Sequence, residues 1–260
     1  MSPGAILALN AGIILALTTA LWAVSVRLRD TSIVDIFWGS GFVIVAWATF
    51  AATGGGPRAA LLTALTTIWG LRLTVHLARR NLGKGEDRRY TAMRERHGDR
   101  WPARSLWAVF WTQGLIMWIV VLPVQAGQWD GSPDQLIWLD WAGAALWLVG
   151  LTFETVGDLQ LERFKRDPAN AGKVMDRGLW SWTRHPNYFG DFCVWWGLWL
   201  IALATGTAWW TAVGPLLMSV LLIRVSGAGL LEQTIGQRRP GYDEYVRRTS
   251  GFLPRPPRRP

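Results

Sequence analysis

Seven ionisable side chains lie within or at the ends of the apolar stretches of this 260-residue chain, and their types and spacing could do chemistry. Asp35 stands early in one stretch, Asp191 begins another, and Arg224 lies near the end of the last. Arg72 and His76 are four residues apart, as are Glu154 and Asp158, so each pair shares one face of a helix. An ionisable group in hydrocarbon is costly and points by default to function. Near a helix end the same group can snorkel into an interfacial ion pair, which is the simpler reading for any one of them. Taken together, on one side of the membrane, the seven favour a polar cavity open to the cytosol. Asp140, at the opposite edge, is the exception.

A second set lies between Leu159 and Asn187, in LQLERFKRDPANAGKVMDRGLWSWTRHPN. Arg163, Lys165, Arg166, Lys173 and Arg184 bring phosphate-binding charge. Asn170, His185 and Asn187 bring directional hydrogen bonds, and Tyr188 a ring and a hydroxyl. The set suits an anionic nucleotide docked at a cytosolic membrane surface. Each member also has a plainer reading: Lys165 and Arg166 as topology signals, Asn187 as a cap of the following helix. Gly54-Gly-Gly56 and Gly83-Lys84-Gly85 lack the strand-then-helix setting of a dinucleotide or phosphate loop. Three histidines without ligand spacing and a single cysteine, Cys193, argue against a metal centre and exclude an internal disulfide.

The elements that must position these residues are membrane helices. Half of the residues are hydrophobic and 17% are charged, against roughly 25% charged in a soluble domain. Seven runs are near the roughly 20 apolar residues that a bilayer core requires: Ala5–Val26, Ile33–Ala52, Ala59–Leu77, Ser105–Ala126, Ile137–Leu159, Tyr188–Ala204 and Thr207–Leu230. No run alternates as a strand would. The chain therefore reads as an all-α, polytopic, single membrane-embedded domain, with the first run a retained helix. With the N-terminus outside and the C-terminus cytosolic, 24 of the 27 Lys and Arg fall in inside segments and only Arg58 in an outer loop. Orientation thus accounts for the net charge of +9 without a nucleic-acid partner. Most of the 19 Trp fit interfacial belts, and residues 255–260 read as a mobile tail.

At RGLWSWTRHPNYFGD (Arg177–Asp191) the chain resembles the C-terminal region of the steroid 5-alpha-reductase family, and its uncharacterised bacterial branch in particular. The similarity runs from about Glu154 to Pro254 through FETVGDLQLERFK, DPANAGKVM and GYDEYVRRTSGFLP. Upstream, SIVDIFWG (Ser32–Gly39) and EDRRY (Glu86–Tyr90) resemble the same branch. This resemblance implies a seven-helix enzyme of the bacterial inner membrane, its site facing the cytosol, with NADPH as hydride donor. The implied reaction is reduction of a carbon–carbon double bond conjugated to a carbonyl, in a steroid-like or other lipid. By position in the family, Glu154, Asp158, Lys165, Lys173, Asn187, Tyr188 and Asp191 fall on cofactor-contacting positions. Glu232, Tyr242 and Tyr245 belong to the C-terminal segment that completes the pocket. Residues 154–254 form the cofactor-binding half, to which Asn170, Arg184 and His185 also belong.

One departure bears on substrate. The steroid enzymes grip the substrate ketone with a Gln-Glu pair on the second helix and a Tyr further on. Here the second run offers Asp35, Trp38 and Ser40, and the third offers Arg72 and His76 where the Tyr is sought. Asp35, Arg72 and His76 are therefore the expected groups for stabilising charge on the carbonyl oxygen. Membrane methyltransferases such as isoprenylcysteine carboxyl methyltransferase carry a similar Arg-His-Pro-x-Tyr segment, so an S-adenosylmethionine-dependent methyl transfer is the alternative. A lipid-binding or transport protein is a third reading, weakened by the lack of internal repeats.

Overall fold

The computed structural model describes residues 1–225 and 240–257; Glu232 and residues 258–260 of the expected tail lie outside them. Among the described residues the fold is helical, with no β-strand. The chain divides into two compact units. Unit 1 comprises residues 1–140 and 201–211, and unit 2 residues 141–200 and 212–260.

Unit 1 opens with α1 (Pro3–Leu28), α2 (Ile33–Thr53) and α3 (Pro57–Asn81). Local signals set their ends. The Ser2 side chain accepts from Ala5 N before Pro3, Gly54 closes α2 at φ 81°, and Pro57 opens α3. All three are long and apolar enough to cross a membrane. Next come α4 (Arg88–His97), the short α5 (Trp101–Ser105), a π-helical stretch Leu106–Trp111, α6 (Thr112–Val120) and α7 (Leu122–Trp129). The fourth expected run is thus not one straight helix: it bends by 43° between Val120 and Leu122. Pro123, in the first turn of α7, supplies no N–H and cannot continue the preceding ladder. Counted as one span, this bent pair makes a fourth.

Bare backbone lets α2 and α3 approach closely. A Cβ on Gly70 would meet Gly39 O at 2.6 Å. Phe42, Leu62, Trp69, Phe110 and Met117 fill the core. Fully buried Asn10 on α1 donates to Thr49 Oγ1 on α2 at 2.8 Å and to Gln125 Oε1 on α7 at 2.9 Å. Arg58 and Asp140, 4% and 0% exposed, form a two-pronged ion pair at 2.8 and 3.2 Å. Arg58 also donates to the Ser132 carbonyl at 3.0 Å. Asp140, the exception to the one-sided pattern, is therefore the anchor, through Arg58, of the loop that leads into α8.

Unit 2 is built on α8 (Trp138–Arg166) and α9 (Pro186–Leu203), with α10 (Val213–Val220) and α11 (Tyr242–Arg248). The α8–α9 crossing is made through glycine at intervals of seven. A Cβ on Gly197 would meet Gly143 O at 2.7 Å, one on Gly150 would meet Gly190 O at 2.5 Å, and one on Gly157 would meet Pro186 at 3.2 Å. A seven-residue repeat keeps one seam of each helix facing its neighbour. Helix α9 starts at Pro186, so Asn187 lies one residue inside it and is not its cap. The fixed φ and missing N–H of proline suit the first helical position.

Candidate functional site

In unit 1 the motifs containing Asp35 and Tyr90 come together. Thr31 N donates to Glu86 Oε1 at 2.8 Å and Asp87 N to Ser32 Oγ at 2.6 Å, tying the start of α2 to the start of α4. Arg94 pairs with the same Glu86 at 2.7 Å. Burial opposes ionisation of Glu86, but hydrogen bonds from Arg94 and Thr31 outweigh it and hold the carboxyl below its ordinary range. The Asp87 carboxyl is likewise held low: burial works against it, while Arg89 bonds it through both side chain and backbone.

This clamp sets Tyr90 against Asp35. The Tyr90 hydroxyl donates to Asp35 Oδ1 at 2.8 Å and accepts from Gln113 Nε2 at 3.1 Å. Gln113 Oε1 in turn accepts from the Trp38 indole at 2.5 Å. Arg89, 59% exposed, donates to the other carboxylate oxygen of Asp35 at 2.9 Å and also pairs with Asp87. Every donor in the chain Trp38–Gln113–Tyr90–Asp35 thus points toward one carboxylate, with an arginine on its exposed side. Such an arrangement can hold, give or take a proton at the Tyr90 oxygen. Gln113 comes just after the π-helical stretch, a distortion that shifts register and is frequent at functional sites.

Of the residues expected here, Asp35 is at the centre of this network. Arg72 and His76 are half-buried on α3. Tyr90, Gln113 and Arg89 were not assigned from sequence. The signal for Tyr90 was the EDRRY string itself, which lies in a charged stretch where an apolar-run search does not look.

In unit 2, Glu154 and Asp158 are both buried on α8. Asp158 Oδ1 accepts from Asn187 Nδ2 at 3.1 Å, and the Gly190 backbone lies against Glu154. His185 is buried and stacks on Tyr188 with ring centroids 5.4 Å apart. Asp191 follows on α9, half-buried. Arg184 binds the C-terminal segment: its guanidinium donates to the carbonyls of Thr249 at 2.8 Å and Val246 at 3.3 Å, and its backbone N–H to Ser250 O at 2.9 Å. Thr183 Oγ1 donates to Phe252 O at 2.8 Å, and Arg255 N to Trp182 O at 3.0 Å. The buried Tyr245 sends its hydroxyl to Trp180 O at 2.6 Å, while Tyr242 packs beside it with ring centroids 5.9 Å apart.

These bonds shape a cleft of about 580 Å³ between residues 164–177 and residues 240–248. The volume is in the roughly 300–1,000 Å³ range of small-molecule sites. Asn170, Lys173 and Tyr245 of the expected set line it, together with Asp176, Arg177 and Arg248. Lys165 is exposed near the end of α8. Cations, carboxylates and the Phe164 and Tyr245 rings give the lining the means to hold an anionic ligand with a flat ring.

Comparison with known proteins gives few functional names. The uncharacterized protein C594.04c of Schizosaccharomyces pombe is 24% identical over 278 residues, covering 92% of this chain and 77% of its own. Probable O-methyltransferase ustE of Ustilaginoidea virens is 42% identical over 53 residues, which is 20% of this chain and 18% of that protein. No solved structure matches. The family model described as protein of unknown function (DUF1295) matches residues 21–249, a range that takes in both the Asp35–Tyr90 network and the cleft, and the chain belongs to that family.

Proposed function

We propose that this protein is a membrane-embedded, NADPH-dependent reductase of a carbon–carbon double bond conjugated to a carbonyl in a lipid. The observation that carries the reading is the Tyr90 hydroxyl, held between Asp35 and Gln113 near the start of α2. The relation of the family to steroid 5-alpha-reductase-like membrane proteins supports it. Helices occupy each of the seven expected runs as far as the described residues go, and we read all seven as crossing a bacterial inner membrane. The Lys and Arg distribution supports an outside N-terminus, a cytosolic C-terminus and a site facing the cytosol.

In this reading the cleft of unit 2 holds the coenzyme. Its cationic side chains would take phosphate, Asn170 would take ribose or base, and its rings would flank the base. NADPH, when bound, supplies hydride. The protein binds and orients the reactants and excludes water. Turned from Asp35 to the substrate, the Tyr90 hydroxyl would donate its hydrogen bond to the carbonyl oxygen, where negative charge grows as hydride adds to the double bond. Gln113 steadies the Tyr90 oxygen, and the proton that completes the reduction at carbon comes from water. The second helix lacks the Gln-Glu pair of the steroid enzymes, so the reading extends to reduction of an enone in a steroid-like or other lipid and not to specificity for steroids.

The partial likeness to an O-methyltransferase favours a second reading, in which Asp35 accepts the proton of an acceptor hydroxyl during methyl transfer from S-adenosylmethionine. Thermal shift of the purified protein with NADPH, NADH and S-adenosylmethionine separates the two, because selective binding raises apparent stability. Stabilisation by NADPH, followed by its oxidation with a 3-oxo-4-ene steroid or a simpler enone lipid, is the expected result. Stabilisation by S-adenosylmethionine alone replaces the reductase with the transferase.

A further inference from the structure

The cleft of unit 2 contains the chemistry to distinguish two coenzymes, and the argument rests on the reductase reading. Beside a nucleotide ribose, a carboxylate accepts from the 2′-hydroxyl and repels a 2′-phosphate, whereas an arginine does the opposite. Both residue types are present here and adjacent in sequence, as Asp176 and Arg177. They are not equally available. Arg248, on α11, donates to Asp176 Oδ2 at 3.2 Å, and the Glu244 carboxylate is 3.9 Å from Arg248 Nε. Asp176 is therefore already engaged through Oδ2 in an ion pair. Arg177 is exposed on the cleft and forms no ion pair among the described residues.

We infer that Arg177 is the residue by which this cleft selects a dinucleotide carrying a 2′-phosphate over one with a free 2′-hydroxyl. The Asp176–Arg248 pair enforces the choice by withdrawing the acceptor that a ribose diol would need. The guanidinium of Arg177 can meet two phosphate oxygens at once, a geometry that lysine lacks. Selectivity is thus carried by one uncommitted cation and one committed acid.

The test uses the full chain in detergent or nanodiscs, with NADPH, NADH, 2′,5′-ADP and 5′-ADP as calorimetric probes. The wild type is expected to bind NADPH more tightly than NADH, and 2′,5′-ADP more tightly than 5′-ADP. Arg177→Gln should weaken NADPH and 2′,5′-ADP about 10-fold or more, the usual worth of one charge-assisted contact, and leave NADH and 5′-ADP unchanged. Arg248→Gln frees Asp176 and should raise the ratio of NADH to NADPH affinity. Because Arg248 also holds α11, the exposed Arg177 variant decides. If Arg177→Gln changes both dinucleotides equally, or neither, while the wild type binds NADPH, the selectivity inference is wrong and the reductase reading stands. If the wild type binds S-adenosylmethionine and no nicotinamide dinucleotide, both fall.

Discussion

The Tyr90 hydroxyl is fixed from two sides, and its proton points at Asp35. A positioned proton donor contributes about 10²–10⁴-fold to a rate. Tyr90→Phe and Asp35→Asn should therefore lower NADPH-dependent turnover by about 100-fold or more while NADPH affinity holds; unchanged turnover in both would remove the pair from the chemistry. Glu86 makes a different prediction. Its carboxyl titrates below the ordinary 4.5, so its stabilisation is complete above that value and is lost as pH falls through the lower folded-state value. The difference in melting temperature between wild type and Glu86→Gln should be full at pH 7 and shrink as pH falls below 4.5; a gap independent of pH would exclude the clamp. Asp35 was legible in the sequence because a carboxylate in an apolar run is conspicuous. Its partners were not. Tyr90 lies among charges, and Gln113 is one neutral amide whose significance depends on how the π-helical turn directs it.

Among the elements, the α8–α9 pair depends on hydrogen-only positions. A Cβ at Gly190 would come within 2.5 Å of Glu154 N, which is backbone and cannot swing aside. Gly190→Ala should cost about 1–3 kcal/mol, read as a lowered midpoint of detergent unfolding. The loop between α7 and α8 depends on charge. Arg58→Ala strands Asp140, which is fully buried, and should cost about 3–5 kcal/mol. Near-wild-type melting in either variant would contradict the packing described. Apolar length placed α1, α2, α3 and α9 to within a few residues, but α8 runs on to Arg166, past the expected end at Leu159, and the polar α4 is not an apolar run at all. The bend at Val121 and the start of α9 at Pro186 did not follow from apolar length. In both places a proline acts on backbone hydrogen bonding, to which a hydropathy count is blind. The glycine heptads at 143, 150 and 157 are visible in the sequence, but they become a contact only when matched with Gly190 and Gly197.

For the whole molecule, the proposed seven crossings would put the termini on opposite sides of the membrane. A green fluorescent protein fused after residue 260 should glow in the cytosol, while an alkaline phosphatase fused there should stay inactive; the reverse pattern would invert the orientation. Three helices, or four with the bent pair, declare themselves by length and apolarity alone. The long α8 reads less clearly because Glu154, Asp158 and its terminal basic residues dilute it. The cleft has a further consequence. Its two walls are far apart in the chain, as the 65-residue separation of Trp180 and Tyr245 shows. A nonsense mutation near codon 240 would therefore remove one wall of the cleft, Tyr245 and Arg248 included, while leaving the three long apolar helices of unit 1 in the product.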